Sequence, residues 1–513
     1  MINPFLLTDG YKTSHHKMYP EGTTLVFSNF TPRSEKHALV KTGYILHFGS
    51  QMVIQQIHEL FQEGFFNRNR QEVLEEINKE YSAYLGTDYD VSHIDALHQL
   101  GHLPISVQAL SEGVLVPIGI PVMKVWNTHP DFYWITNFLE TIISNLYWKP
   151  ITSATIAYEY RKLLQDYALA TDKDNLGVVA FQGHDFSMRG MDSVEATMSS
   201  GLGHAVSFLG SDSLPVIHAA RKYYEADGDV VYSVPASEHS VMCAGTKDDE
   251  IETLRYLMKQ YPTGILSVVS DTWDLWKLIT EYLVELKDEI LARDGKLVIR
   301  PDSGDPVDII CGTFDFSKDK TIFGADPTLD TVRITEEKGV VELLWDIFGG
   351  TVNEQGYKVL DSHIGCIYGD SITLARAEDI CSRLEAKGFA STNVVLGIGS
   401  YTYQYNTRDT YGFAMKATYV EVENPNIMLM SNPPQPKIEG REIFKDPVTD
   451  DGTKKSAKGL LAVHDKDGIY ELKQQCTWEE VQEDDTILIY KDGKILERVS
   501  LNDVRNRVSK LLE

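Results

Sequence analysis

The feature that most restricts what this chain can fold into is a pattern repeated between residues 177 and 400. Short apolar runs recur, and each closes on a polar cluster. Residues 177–181 lead into Gly183-His-Asp-Phe-Ser-Met-Arg-Gly190, 205–209 into Gly210-Ser-Asp212, and 230–234 into Pro235-Ala-Ser-Glu-His239. Residues 265–269 lead into Ser270-Asp271, 296–299 into Arg300-Pro-Asp-Ser-Gly304, 365–367 into Tyr368-Gly-Asp370, and 394–396 into Gly397-Ile-Gly-Ser400. Short apolar strands alternating with helical stretches predict a parallel sheet. Reactive side chains after strand upon strand favour closure into an α/β barrel, whose site gathers at the carboxyl ends of its strands. An open doubly wound sheet would instead place its site at one switch point.

The flanks read differently. Residues 51–86 have helical spacing, and residues 105–126 alternate as strands punctuated by Gly113, Pro117 and Pro121. Thr128-His-Pro-Asp131 predicts a helix start capped by Thr128, with one helix running to Trp148 and another from Ser153 to Ala168. Beyond residue 410 the pattern is β-rich, and Asp467-Gly468 and Asp492-Gly493 predict hairpin turns. The expectation is an α/β fold. An α/β barrel spans 151–399, and a second β-rich α+β domain is built from both chain ends, 1–150 and 400–513.

Charge narrows the possible ligands. With 48 Lys+Arg against 75 Asp+Glu, the chain carries a net charge of −27. It repels nucleic acid and anionic membranes. A polyphosphate ligand must be met by cations concentrated locally against that field. The start, Met1 to Tyr19, is interrupted by Asp9 and Lys12 and lacks the pattern of a signal peptide, so a cytoplasmic location is expected. Five scattered cysteines show no metal-type spacing and predict reduced thiols.

The strand-end residues suggest a chemistry. Arg300 and Asp302, two residues apart, present a cation and a carboxylate, and Asp370 after Gly369 offers a second carboxylate. Arginine suits phosphate or a planar polar group, and carboxylates accept from sugar hydroxyls. The Gly397–Ser400 turn offers backbone N–H groups to a phosphate. His239, beside Glu238, is a near-neutral base or nucleophile. Phe186 followed by Arg189 suits a flat ring and an anion, and Asp212 suits an amide NH2. The sequence contains no Walker A loop, HExxH motif or nucleophile elbow. These residues alone indicate an α/β-barrel enzyme acting on a sugar phosphate with a planar partner.

Eight stretches, in order and spacing, resemble the nicotinamide phosphoribosyltransferase family of type II phosphoribosyltransferases. They are Leu7–Lys12, Gly101–Ile105, His184–Gly190, Tyr232–His239, Ser267–Asp271, Ile299–Gly304, Thr407–Asp409 and Phe444–Val448. The resemblance implies an irregular α/β barrel. It implies that nicotinamide and phosphoribosyl pyrophosphate give nicotinamide mononucleotide and pyrophosphate in NAD salvage. Mg2+ is implied as cofactor, with optional ATP hydrolysis through a phosphohistidine at His239, and a homodimer with active sites at its interface. It further implies that Phe186 and the partner subunit's Tyr11 sandwich the pyridine ring. Asp212 would accept from the carboxamide NH2, with Arg300 near its oxygen. Asp302, Gly369 and Asp370 would hold the ribose hydroxyls, and Asp302 and Asp370 also Mg2+. Ser233, Glu238, Ser267 and Asp271 would line the pocket. Arg189 would bind phosphate, and Gly399 and Ser400 the 5′-phosphate. Arg33, Arg408, Lys416 and Lys445 would bind pyrophosphate or ATP phosphates.

The implied mechanism needs no general base, because the pyridine nitrogen already carries a lone pair. Orientation of the ring and cations at the leaving group do the work. Ser400 and Tyr401 stand where the family usually has glycine, and their Cβ atoms are expected to narrow the phosphate turn. Two rival readings are a nicotinate phosphoribosyltransferase and a non-catalytic pyridine or sugar-phosphate binder. Asp212 argues against the first, since a carboxylate repels an acid substrate. His239, Arg300, Asp302 and Asp370 together argue against the second.

Overall fold

The computed structural model describes residues 2–313, 335–369, 371–431, 433–449 and 456–513. They form two compact units, one of residues 1–155, 220–226 and 406–511, the other of 156–219, 227–405 and 512–513.

The first unit is built on an antiparallel sheet that draws strands from both chain ends. Its order is Gln435–Glu442, Ala414–Leu429, Thr23–Thr31, Met123–Asn127, Ile105–Ala109, Ile487–Lys491, Lys494–Ile495. The β-branched and aromatic run Thr-Thr-Leu-Val-Phe-Ser-Asn-Phe-Thr at 23–31 suits a half-buried pleat. It pairs with Ala414–Leu429 on one side and Met123–Asn127 on the other. Helices Ser50–Phe61, Arg70–Leu85 and Ser92–Leu100 supply Ile54, Phe61, Val73, Ile77 and Leu97 to the core packed on it. Both predicted Asp-Gly turns form with positive φ at each central residue, 56° and 87° at Asp467-Gly468 and 46° and 78° at Asp492-Gly493. That is the two-residue turn whose twist matches the strands it joins.

A buried ion pair fastens the sheet. Lys124 Nζ lies 2.6 Å from Asp484 Oδ2, and both side chains are fully buried. Asp484 also accepts from the Val463 and Thr486 amides, at 2.7 and 3.1 Å. Burial pulls the lysine pKa down and the carboxylate opposes it.

In the second unit, parallel strands run in the order Gly210–Ser211, Gly183–Asp185, Val394–Ile398, Ile364–Tyr368, Asp294–Arg300, Thr263–Val269. Single-residue bridges Gly210–Tyr232 and Ala236–Ser267 connect the two edge strands through one segment. The circuit is an irregular α/β barrel in which two bridges replace a seventh strand. Helices Pro306–Cys311, Thr335–Phe348 and Leu374–Ala386 cover its outside with Val307, Ile310, Val340, Leu344, Ile380 and Leu384.

Several local expectations are corrected. Residues 177–181 end a 3-10 turn and begin the short helix Val179–Gln182, and the strand starts at Gly183. The run 205–209 begins as the last residue of helix Val194–Ala205, and the strand is Gly210–Ser211. The run 230–234 contributes one bridge. The two helices expected on either side of Pro150 are a single helix, Ile135–Thr171. Thr128 does not cap. His129 accepts from the Asp131 amide at 3.3 Å, while the Thr128 hydroxyl is turned to the Asp492 carboxylate.

Asp484→Ala leaves a buried ammonium without its counterion, a loss expected to lower stability by roughly 3–5 kcal/mol. Urea denaturation reads it as a lower midpoint, and adding Lys124→Met recovers part of the loss. A change below about 1 kcal/mol, the value of an exposed pair, contradicts the role given to the pair.

Candidate active site

Strand register brings several of the predicted residues of the second unit to one edge. His184 pairs with Gly210 and Asp185 with Ser211, and beyond them the Asp212 amide donates to the Asp185 carbonyl at 3.0 Å. On the other side of Gly183–Asp185, Ile398 pairs with Asp185, followed by Gly399 and Ser400. Val269 pairs with Arg300, so Asp271 and Asp302 emerge side by side.

Phe186 lies at this edge, its ring tilted 36° against His184 at 4.6 Å between centroids. Asp212 accepts from His184 Nε2 at 2.9 Å and from the Ser233 hydroxyl, both on Oδ1. Burial pushes its pKa up, but the bonds from His184 and Ser233 and the field of Arg300 outweigh burial, and the net shift is downward. The carboxylate is therefore held ionised, and Oδ2 remains able to accept.

Arg300 donates from Nη2 to the Ser237 carbonyl at 2.5 Å, and its Nε lies 3.9 Å from Asp302 Oδ1. Asp271 Oδ2 accepts from the Asp302 and Ser303 amides at 2.9 and 2.7 Å, which fixes the 302–303 turn. His239 is half exposed. Its Nδ1 hydrogen-bonds Thr272 Oγ1 at 3.1 Å, and its Nε2 lies 3.6 Å from Asp302 Oδ2 and 4.0 Å from Asp271 Oδ1. Glu238, beside it, is exposed and accepts from Ser240. Arg189 is exposed in the turn Met188–Gly190.

Glycines make this packing possible through close approach rather than unusual φ. A Cβ on Gly369 would lie 1.8 Å from Asp302 Oδ1, and one on Gly397 would lie 2.8 Å from the Phe186 ring. A Cβ on Gly190 would lie 2.1 Å from Ser400 Oγ. Gly190 thus makes room for the Ser400 side chain. Tyr401 is exposed and stacks on Tyr405, centroids 5.3 Å apart. Asp370 lies outside the described residues.

Three buried polar atoms of these strand ends and turns, Ser267 Oγ, Asp271 Oδ1 and Arg300 Nε, make no hydrogen bond among the described residues. Buried polar groups are normally satisfied, so these atoms are candidates for contacts with a polar ligand.

The first unit carries the other predicted group. Arg33, Lys416 and Lys445 line a cavity of about 430 Å³ together with Phe444 and Ser456. Burial lowers the pKa of Lys416, Glu140 at 3.8 Å opposes this, and Arg33, Lys12 and Arg408 add to the lowering. Burial likewise lowers Arg33, with Arg408 contributing. Arg408 thus bears on both Arg33 and Lys416, and a local cluster of cations of this kind suits an anionic ligand. Tyr11 is 60% exposed, and its phenol pKa is raised by burial, Glu140 and Asp9 and lowered by Arg408, which places it beside the same cations.

Two side chains outside the sequence-derived set hydrogen-bond to members of it. His184 holds Asp212, and Thr272 holds His239. Both stand within the strand-end clusters, and that position was their available signal.

The "Nicotinate phosphoribosyltransferase (NAPRTase) family" matches residues 181–480, and the "Nicotinamide phosphoribosyltransferase, N-terminal domain" matches residues 3–107. A nicotinamide phosphoribosyltransferase of Acinetobacter baylyi is 46% identical over all of this chain and 98% of its own length. The chain belongs to the nicotinamide phosphoribosyltransferase family. Another of that name, from Mycoplasma pneumoniae, is 32% identical over 89% of this chain and 95% of its own. Human nicotinic acid phosphoribosyltransferase shares the fold, with a TM-score of 0.53 at 16% identity over 98% of this chain and 93% of its own. The family's enzymes are pentosyltransferases, and the barrel edge described above lies within residues 181–480.

Gly369→Ala drives a methyl into Asp302. It is expected to reduce kcat/KM for mononucleotide synthesis about a hundredfold, the scale of an ångström's misplacement, with the thermal transition little changed. Steady-state kinetics beside calorimetry checks this, and near-parental kcat/KM contradicts it.

Proposed function

We propose that this site transfers the ribosyl phosphate of phosphoribosyl pyrophosphate to nicotinamide, releasing pyrophosphate, as a salvage step toward NAD. The observation that carries the choice of nicotinamide is the ionised Asp212 carboxylate, held on Oδ1 by His184 and Ser233. An amide NH2 donates to it, whereas the carboxylate of nicotinate is repelled.

On this reading Phe186 stacks one face of the pyridine ring and the partner subunit's Tyr11 the other, in a homodimer. Arg300 faces the amide oxygen, with Ser233 and Ser267 lining the pocket. Held so, the ring nitrogen approaches the anomeric carbon along the line that the pyrophosphate leaves, and orientation supplies much of the rate. Asp302 and Gly369, with Asp370, receive the ribose hydroxyls. The turn at Gly399 and Ser400 receives the 5′-phosphate with Arg189. Arg33, Arg408, Lys416 and Lys445 receive pyrophosphate, converging across the dimer against the net charge of −27. No proton has to leave the attacking nitrogen.

Mg2+ fits the donors present. Asp302 and the unsatisfied Asp271 Oδ1 are hard oxygen ligands, and the described residues contain no group of three or more metal-ligating side chains. Mg2+ commonly binds through one or two carboxylates and substrate phosphates. Asp302 would hold it with Asp370, and when bound it supplies positive charge to the departing pyrophosphate. ATP fits at His239. The half-exposed imidazole, fixed by Thr272 and flanked by Asp271 and Asp302, accepts a phosphoryl group, with Glu238 beside it. No helix among the described residues is long and apolar enough to cross a membrane, and we place the reaction in the cytoplasm.

One assay tests this reading. The enzyme is given equal nicotinamide and nicotinate with phosphoribosyl pyrophosphate and Mg2+, with and without ATP, and products are weighed by mass spectrometry. Nicotinamide mononucleotide should dominate, and ATP should raise its yield in the parent but not in His239→Ala, which retains ATP-independent synthesis. Dominant nicotinate mononucleotide overturns the substrate, and ATP stimulation of His239→Ala overturns the phosphohistidine.

A further inference from the structure

We infer that His184 is a positioning residue that sets amide-over-acid specificity by fixing the Asp212 carboxylate at the barrel edge. The inference rests on the reading of Asp212 given above.

The geometry gives the imidazole little freedom. His184 is the middle residue of the three-residue strand Gly183–Asp185, and its backbone pairs in register with Gly210 of the neighbouring strand. Two residues beyond Gly210 the chain reaches Asp212, whose amide is tied to the Asp185 carbonyl at 3.0 Å. The histidine ring and the carboxylate therefore project from adjacent strands at fixed separation, and Nε2 meets Oδ1 at 2.9 Å.

Two further contacts hold the ring. A Cβ on Gly210 would lie 2.7 Å from His184 Nδ1, so only glycine leaves the ring this place. On another side the ring rests against Phe186, 4.6 Å between centroids. One imidazole therefore contacts both groups assigned to the pyridine ligand, its stacking partner and its amide acceptor. Its side chain is 12% exposed, against 39% for Asp212, so the imidazole is the more buried of the pair.

The consequence concerns charge as well as position. Ser233 also donates to Oδ1, but from an exposed residue whose segment contributes single bridges rather than a strand. His184 is the donor built into the sheet. Without it the carboxylate rotates more freely and ionises less readily in a partly buried position. Both changes weaken the bond to an amide NH2 and relax the repulsion of an acid. Specificity here depends on a charge that must be present and aimed.

The test compares His184→Phe, which keeps a flat ring for Phe186 and removes the donor, with His184→Gln, which keeps a donor and loses the ring. For each, kcat/KM is measured separately with nicotinamide and with nicotinate, beside the thermal transition. His184→Phe should lower the nicotinamide-to-nicotinate ratio at least tenfold, mainly through a higher KM for nicotinamide. His184→Gln should keep the ratio within about threefold of the parent while losing overall rate. A merely structural role lowers both substrates together and leaves the ratio unmoved in both variants. That result overturns the inference, as does an equal fall of the ratio in both. If His184→Phe does not fold, a parental ratio in His184→Ala overturns the inference, and a tenfold lower one supports it. A parent enzyme that prefers nicotinate defeats the reading of Asp212 instead, and the two failures are told apart by the parent alone.

Discussion

Matched register among parallel strands is the constraint on which the rest of the second unit depends. Gly210, His184, Leu396, Tyr368, Ile299 and Val269 lie in strands that end on one edge. The residues that follow them inherit positions set by the backbone ladder. His184 meets Asp212, and Asp271 fixes the turn bearing Asp302, because neighbouring strands deliver them together. Close packing then demands glycine at 190, 369 and 397, where a methyl would strike Ser400, Asp302 or Phe186. At Gly190 the missing side chain leaves space that the Ser400 hydroxyl occupies.

Much of this was legible in the sequence, and the failures have physical causes. The strands Thr263–Val269, Asp294–Arg300, Ile364–Tyr368 and Val394–Ile398 announce themselves as apolar, β-branched runs. The strands Gly183–Asp185 and Gly210–Ser211 are two or three residues long, and the candidate residues Phe186 and Asp212 follow directly after them. No apolar run marks them, and the runs before them belong to helix ends and turns. Pro150 reads as a break, yet Ile135–Thr171 continues through it. Local propensity is a weak prior when packing decides. His184 and Thr272 escaped notice because their partners, Asp212 and His239, are distant in sequence and only the sheet makes them neighbours.

Electrostatics separates two tasks. The first unit brings Arg33, Arg408 and Lys416 near one another, and the field of Arg408 helps to lower the pKa of both Arg33 and Lys416. The second places the Asp212 carboxylate, within the field of Arg300, where we propose the ring substituent is recognised. A chain of net charge −27 can bind a polyanion only where such cations cluster, and it selects a neutral acceptor by the opposite means. Family membership supplies the reaction, and we propose Asp212 as the reason for an amide.

That claim is most directly tested by Asp212→Ser, scored as the ratio of kcat/KM for nicotinamide to that for nicotinate. Removing the fixed charge should lower the ratio by roughly 1.4–3 kcal/mol of discrimination, about ten- to a hundredfold, with nicotinate use rising in absolute terms. An unchanged ratio in a folded Asp212→Ser enzyme contradicts the account.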